Sequence, residues 1–133
     1  MIDVTDNVLQ ELSRGGQEAT ACVSIYMPTH RRHPENQQDP IRFKNLGKSA
    51  LAQSGRSEIF TPEAISLIES ELANLVEDRA FWNHRTDGLA WFYRERMCQT
   101  FDLQQPADDL VVVADSLHIN PLIRATQSAD RYH

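Results

Sequence analysis

Residues Thr20 to Met27 are dense in β-branched and apolar side chains, and the run stops at Pro28, which has no N–H to give to a ladder. Apolar groups fall on both parities of this stretch, so a strand made from it carries them on both faces and belongs in the centre of a sheet. A second continuous apolar run, Leu89 to Tyr93, is introduced by Asp87-Gly88 and is short enough to be another buried strand. Arg94-Glu95-Arg96 reads as its hairpin connection to Met97 through Leu103, where Gln99, Thr100 and Asp102 give the polar content of an edge strand. Pro106 ends that strand, and Leu110 to Ala114 is a further apolar one.

Helical signals surround these runs. Val4, Val8 and Leu12 recur at four-residue steps and predict a short amphipathic helix stopped by Gly15-Gly16. After the first strand, the segment Thr29 to Pro40 contains Pro34 and Pro40 and no other apolar residue, which makes it a loop. Asp39 is placed to cap the next helix with Pro40 in its first turn, and Phe43, Leu46, Ala50 and Leu51 form its inward stripe. Ser54-Gly55 breaks that helix, and Thr61-Pro62 opens another whose inward face is Ile65, Ile68, Leu72, Leu75 and Val76. The two helices form a hairpin. Asn120-Pro121 caps a last helix over Leu122 to Thr126. The order α-β-α-α-β-β-β-α predicts an α/β sandwich, a roughly four-stranded mixed sheet with the helical hairpin inserted after the first strand. At 133 residues, 1–133 is read as a single α/β domain.

Charge is distributed unevenly. Arg31, Arg32, Arg42, Lys44 and Lys48 oppose only Glu35 and Asp39 in residues 29–48, whereas the remaining eight bases face seventeen acids and the whole chain carries −6. A cationic segment on an acidic body suggests one polyanion-facing surface, with Arg31 and Arg32 and, on the next helix, Arg42 and Lys44 as phosphate contacts. A sequence pI near 5.3 excludes generic coating of nucleic acid. No apolar run approaches the roughly 20 residues needed to span a bilayer, and the acidic N-terminus is unlike a secretory signal, so a cytoplasmic protein without membrane contact is expected. Cys22 and Cys98 then read as reduced, buried thiols inside strands. His30 and His33 with Glu35 and Asp39 offer metal donors, but the two intervening arginines repel a cation, and no metal is expected. No Walker loop, dinucleotide fingerprint or paired-carboxylate motif is present, and no cofactor is expected.

Three segments, CVSIYMPTHRRHPENQQDPIRFKNL, DGLAWFYR and DDLVVVADSLHINPLIRA, together resemble the N-terminal domain of the archaeo-eukaryotic peptide-chain release factor superfamily, in particular its bacterial branch. The resemblance runs from about Cys22 to the end of the chain. It implies a module whose relatives occupy the decoding region of the ribosome, where the loop before the basic helix touches RNA. The corresponding loop here is 29–40, with His30 and Gln37 at its tip. The factors that read stop codons carry Asn-Ile-Lys-Ser there, where this chain has Gln37-Gln38-Asp39-Pro40. Their second signature, Tyr-x-Cys-x-x-x-Phe, falls on Val111, Val113 and Leu117, and only the following His118 matches. Gly15-Gly16-Gln17 matches the hydrolytic tripeptide of release factors, which in the family stands in a separate middle domain; between a helix and a strand it is turn chemistry. The resemblance therefore implies a non-catalytic N-terminal module of a longer, multidomain protein. It would associate with the ribosome, its rRNA or a tRNA through residues 29–48, in rescue or a related translation role, without reading stop codons and alongside C-terminal domains of the same polypeptide.

Two other readings make different demands. A small hydrolase would need His30, His33, Asp115 or His118 to converge in one pocket. An interaction or dimerisation module would need a contiguous apolar patch beside Trp82 or on Met97 to Leu103. Trp82 itself is expected to pack beneath the loop that contains it.

Overall fold

The computed structural model describes residues 21–115 and residue 119. The helix expected over Val4, Val8 and Leu12, the Gly15-Gly16-Gln17 turn, Leu117, His118 and the helix expected after Asn120-Pro121 lie outside the described residues.

Strand β1 (Cys22–Pro28) is buried at every position from Cys22 to Met27, as apolar groups on both parities demand. It is followed by a short 3-10 turn (Glu35–Gln38), helix α1 (Asp39–Arg56), helix α2 (Pro62–Val76), a single turn α3 (Arg79–Trp82), β2 (Gly88–Arg94), β3 (Met97–Leu103) and β4 (Leu110–Ala114). The strand order is β3-β2-β1-β4, which puts β1 inside the sheet and β3 at an edge. This is the expected α/β arrangement of four strands with a helical hairpin after the first, but the sheet is antiparallel at every pairing and not mixed. The reason is the crossover. One helix returns the chain to the start of a strand and yields a parallel neighbour; two successive long helices return it to the end it left, so β2 runs back against β1.

The two central strands, β1 and β2, are buried on both sides. Val23, Ile25, Met27, Leu89, Trp91 and Tyr93 meet Phe43, Ala50, Ile68, Leu72 and Trp82 of the helical layer. Tyr26, Ala90, Phe92, Phe101 and Leu103 form a second buried cluster on the opposite face, with Ala107, Leu110 and Ile119 packed against it. Aromatic pairs tie each cluster: Phe43 to Trp82 and Trp91 at 5.5 and 6.3 Å, and Phe92 to Tyr26 and Phe101 at 5.7 and 5.6 Å.

Helix ends follow local chemistry. The Thr61 hydroxyl accepts the Ala64 N–H at 3.1 Å ahead of Pro62, the capping expected for α2. Asp39 does not cap α1 as expected. The 3-10 turn runs directly into the helix, so Gln38 takes the cap position with helical dihedrals and Asp39 becomes the first helical residue. Ser54-Gly55 does not end α1 either. The Ser54 hydroxyl donates back to Ala50 O at 2.8 Å, which keeps it inside the helix, and α1 continues to Arg56. Gly47 lets α1 and α2 approach, since a Cβ there would lie 3.2 Å from Leu72 Cδ1. The β2–β3 hairpin closes through Glu95 and Arg96, both at positive φ (51° and 67°), the dihedral signature of a two-residue type I′ turn.

Gly88 opens β2 beneath the chain leaving β3, where a Cβ would sit 2.7 Å from the Gln105 carbonyl oxygen. Gly88→Ala is therefore expected to cost about 2 kcal/mol, measured as the shift in urea midpoint; an unchanged midpoint would show that the Gln105 backbone moves freely. Burial pushes the Cys22 thiol up to about 11 and the Cys98 thiol up to about 12, so both stay protonated in the folded chain at neutral pH. Ellman's reagent at pH 8 should label neither cysteine in the native protein and both in denaturant.

Candidate nucleic-acid interface

Because the strands alternate in direction, the end of β1, the start of β2, the end of β3 and the start of β4 meet at one end of the sheet. The loop 29–38 rises from this end and is stitched to its neighbours. The Thr29 N–H donates to Asp87 O at 3.0 Å and its hydroxyl to Thr86 O at 2.8 Å. The Asp87 N–H and Thr86 hydroxyl both donate to Leu103 O, at 3.2 and 2.8 Å.

Asp39 closes the loop. Its side chain is fully buried, and its two carboxylate oxygens take the His30 backbone N–H at 2.8 Å and the His30 ring Nδ1 at 2.7 Å. A carboxylate only accepts, so Nδ1 carries the hydrogen in this contact, on a side chain 42% exposed. Its place in the first turn of α1 adds the favourable field of the helix N-terminus to the buried charge.

The expected contact residues divide into two kinds. Arg31 is clamped: Nε donates to Asp87 Oδ1 at 2.9 Å and Nη2 to Gln104 Oε1 at 3.1 Å. The hydrogen bond and charge of Asp87 hold its guanidinium above the ordinary range. Arg42 donates to Asp109 at 2.7 Å. Arg32, Lys44 and Lys48, by contrast, are exposed and make no ion pair among the described residues. Arg42 and Lys44, two positions apart on a helix, project about 200° apart around it, so the expected set of four does not form one patch. Gln37 is exposed, and its amide donates to His33 Nε2 at 2.7 Å.

Among the described residues, the groups that a hydrolase would need do not converge. His30 turns to Asp39 and His33 to Gln37, while Asp115 follows β4 beside the start of β1, at the far end of the sheet. His118 lies outside the described residues. Among the described residues no cluster of three or more His, Cys, Asp and Glu side chains is placed to hold a metal ion. Among the described residues, the large exposed apolar side chains, Ile41, Ile59 and Met97, stand on three separate segments, and Trp82 is buried, with its Nε1–H on Leu75 O at 2.7 Å. No described helix is long and apolar enough to cross a membrane.

Sequence reasoning missed the acids that hold the arginines, Asp87 and Asp109, which lie 56 and 67 positions from their partners and carry no local signal. It also missed Arg85. That side chain is 8% exposed, with Nη1 on Asp102 at 2.8 Å and its guanidinium carbon 3.6 Å above the Phe81 ring centroid. Burial pushes this guanidinium below its ordinary range against the opposing pull of Asp102 and Asp78. Set against models of known protein families and against curated protein sequences, the chain matches none of them.

If Asp39 fastens the loop, Asp39→Ala leaves the His30 N–H without its acceptor and is expected to cost about 2–3 kcal/mol in urea unfolding, with faster amide exchange at His30. Wild-type stability and exchange in that variant would remove the fastening role.

Proposed function

We propose that this chain is a non-catalytic RNA-associating module, similar in role to the N-terminal domain of release-factor-like proteins. It engages the ribosome, or a tRNA on it, in the cytoplasm without reading stop codons. The observation that carries this reading is that three of the five cations in residues 29–48, Arg32 in the loop and Lys44 and Lys48 on α1, are exposed and make no ion pair among the described residues, on a chain of net charge −6; Arg56, Arg79 and Arg96 are exposed in the same way outside that segment. Cations kept free on an acidic body are available to phosphates, whereas Arg31 and Arg42 are held by acids and shape the surface beside them. The three segments that resemble the family correspond to β1 with the loop and α1, to β2, and to β4. The apolar Val111 and Val113 carry no group able to read a base edge, in keeping with association without codon reading.

Co-sedimentation of the full-length protein with ribosomes tests this. Binding should weaken as salt rises from roughly 50 to 200 mM. A variant carrying Arg32→Glu, Lys44→Glu and Lys48→Glu should lose about tenfold or more in affinity at the low-salt end. Arg31 is left intact because a glutamate there would face Asp87 and disturb the loop. Equal pelleting of variant and wild type, or none at low salt, would sink the proposal.

A further inference from the structure

Between the 3-10 turn with the start of α1 and the end of α2 with α3 lies a cleft of about 670 Å³. Small-ligand sites run from roughly 300 to 1,000 Å³. Its floor is apolar and fixed: Pro40, Val76 and the small part of Trp82, 4% exposed, that the core leaves reachable. The indole is immobilised by Phe43 and Phe81, with ring centroids 5.5 and 4.9 Å away, and by its hydrogen bond to Leu75 O. The rim is polar. The carboxamides of Asn36 and Asn83 supply donors and acceptors, Gln37 and His33 are bonded to each other at the edge, Glu77 supplies one negative charge, and Arg79, exposed and without an ion pair among the described residues, supplies one positive charge.

A ligand complementary to these walls has a flat apolar face, hydrogen-bonding groups of both kinds along its edge, and a single anionic group. An unpaired nucleotide has all of these. We propose that the cleft receives one unpaired nucleotide of an RNA strand, an inference that rests on the RNA-associating reading above. The base lies on Pro40 and Val76 against Trp82, the carboxamides and Glu77 meet the base edge, and Arg79 takes the phosphate. Lys44 stands one turn beyond Pro40 on the same side of α1, and Lys48 one turn further, so adjoining phosphates have a cationic track. A duplex offers no free base to the floor, and Glu77 repels the extra phosphates of a free nucleoside triphosphate.

The test is titration of the isotope-labelled 133-residue chain with an unpaired RNA octanucleotide, the same sequence as duplex, and nucleoside monophosphates, followed by NMR and by binding isotherms. The single strand should move the Trp82 indole N–H and the Asn36 and Asn83 carboxamide resonances, and the duplex should not. Arg79→Ala, at an exposed site, should keep the wild-type melting temperature and weaken single-strand binding about tenfold. Arg56→Ala, at the other end of α1, should leave binding unchanged. Single-strand binding with those resonances unmoved would overturn the cleft while leaving RNA association standing. Monophosphates binding as tightly as the strand would overturn it in favour of a free-nucleotide site. Failure of both this titration and ribosome co-sedimentation would remove the underlying reading as well.

Discussion

A carboxylate with no solvent contact is costly unless donors surround it, and the end of the sheet that carries the loop is organised around meeting that requirement for Asp39. Both donors come from one residue, His30, so the carboxylate fixes a backbone and a ring at once. With His30 held, Arg31 is aimed at Asp87 and Gln104, and the chain before it is anchored through Thr29 to Thr86 and Asp87. Arg32 follows directly and extends into solvent. A cationic loop of this kind is preorganised by neutralising some of its cations internally and leaving others free. Its polarity is set by which acids the fold brings close, more than by how many bases the loop contains.

The crossover through two helices has a second effect. By returning the chain to the end it left, it gathers the loop, the residues before β2 and the chain leaving β3 at the same edge of the molecule. The carbonyl of Leu103 receives donors from both Thr86 and Asp87, which ties the last of these to the second. α1 packs against α2 through Gly47 and Leu72, and their far ends carry the walls of the cleft.

Sequence reasoning recovered what is encoded locally. β1 and β2 were legible because burial on both faces removes polar residues from a run, β4 from its apolar run although it stands partly buried at the other edge, and α2 because Thr61-Pro62 states its start in two residues. The edge position of β3 was legible from Gln99, Thr100 and Asp102. The capping role assigned to Asp39 failed because nothing local announces a 3-10 turn that enters the helix without a cap, and the true partner of Asp39 lies nine residues back. The direction of the sheet followed from the parity of helices in the crossover, a count available in the sequence but not used. Of the candidate contacts, composition correctly located a cationic segment, but pairing divided it: Arg31 and Arg42 find acids on distant loops, and Arg32 and Lys44 do not. The cleft draws on two stretches far apart in the chain, 33–40 and 76–83, neither of which is unusual in composition.

The burial of β1 on both sides bears on how such a chain drifts over time. In a strand with one wet face, every second position is free to vary, and neutral substitutions accumulate there. β1 has no such reservoir, since Ser24 and Tyr26 are as enclosed as Val23 and Ile25. In the edge strand β3, the partly exposed Gln99 and Thr100 leave positions that permit change. Divergent copies of this domain would therefore keep β1 recognisable long after the loop it delivers had been rewritten, so the exposed segment can change while the strand that positions it stays almost fixed.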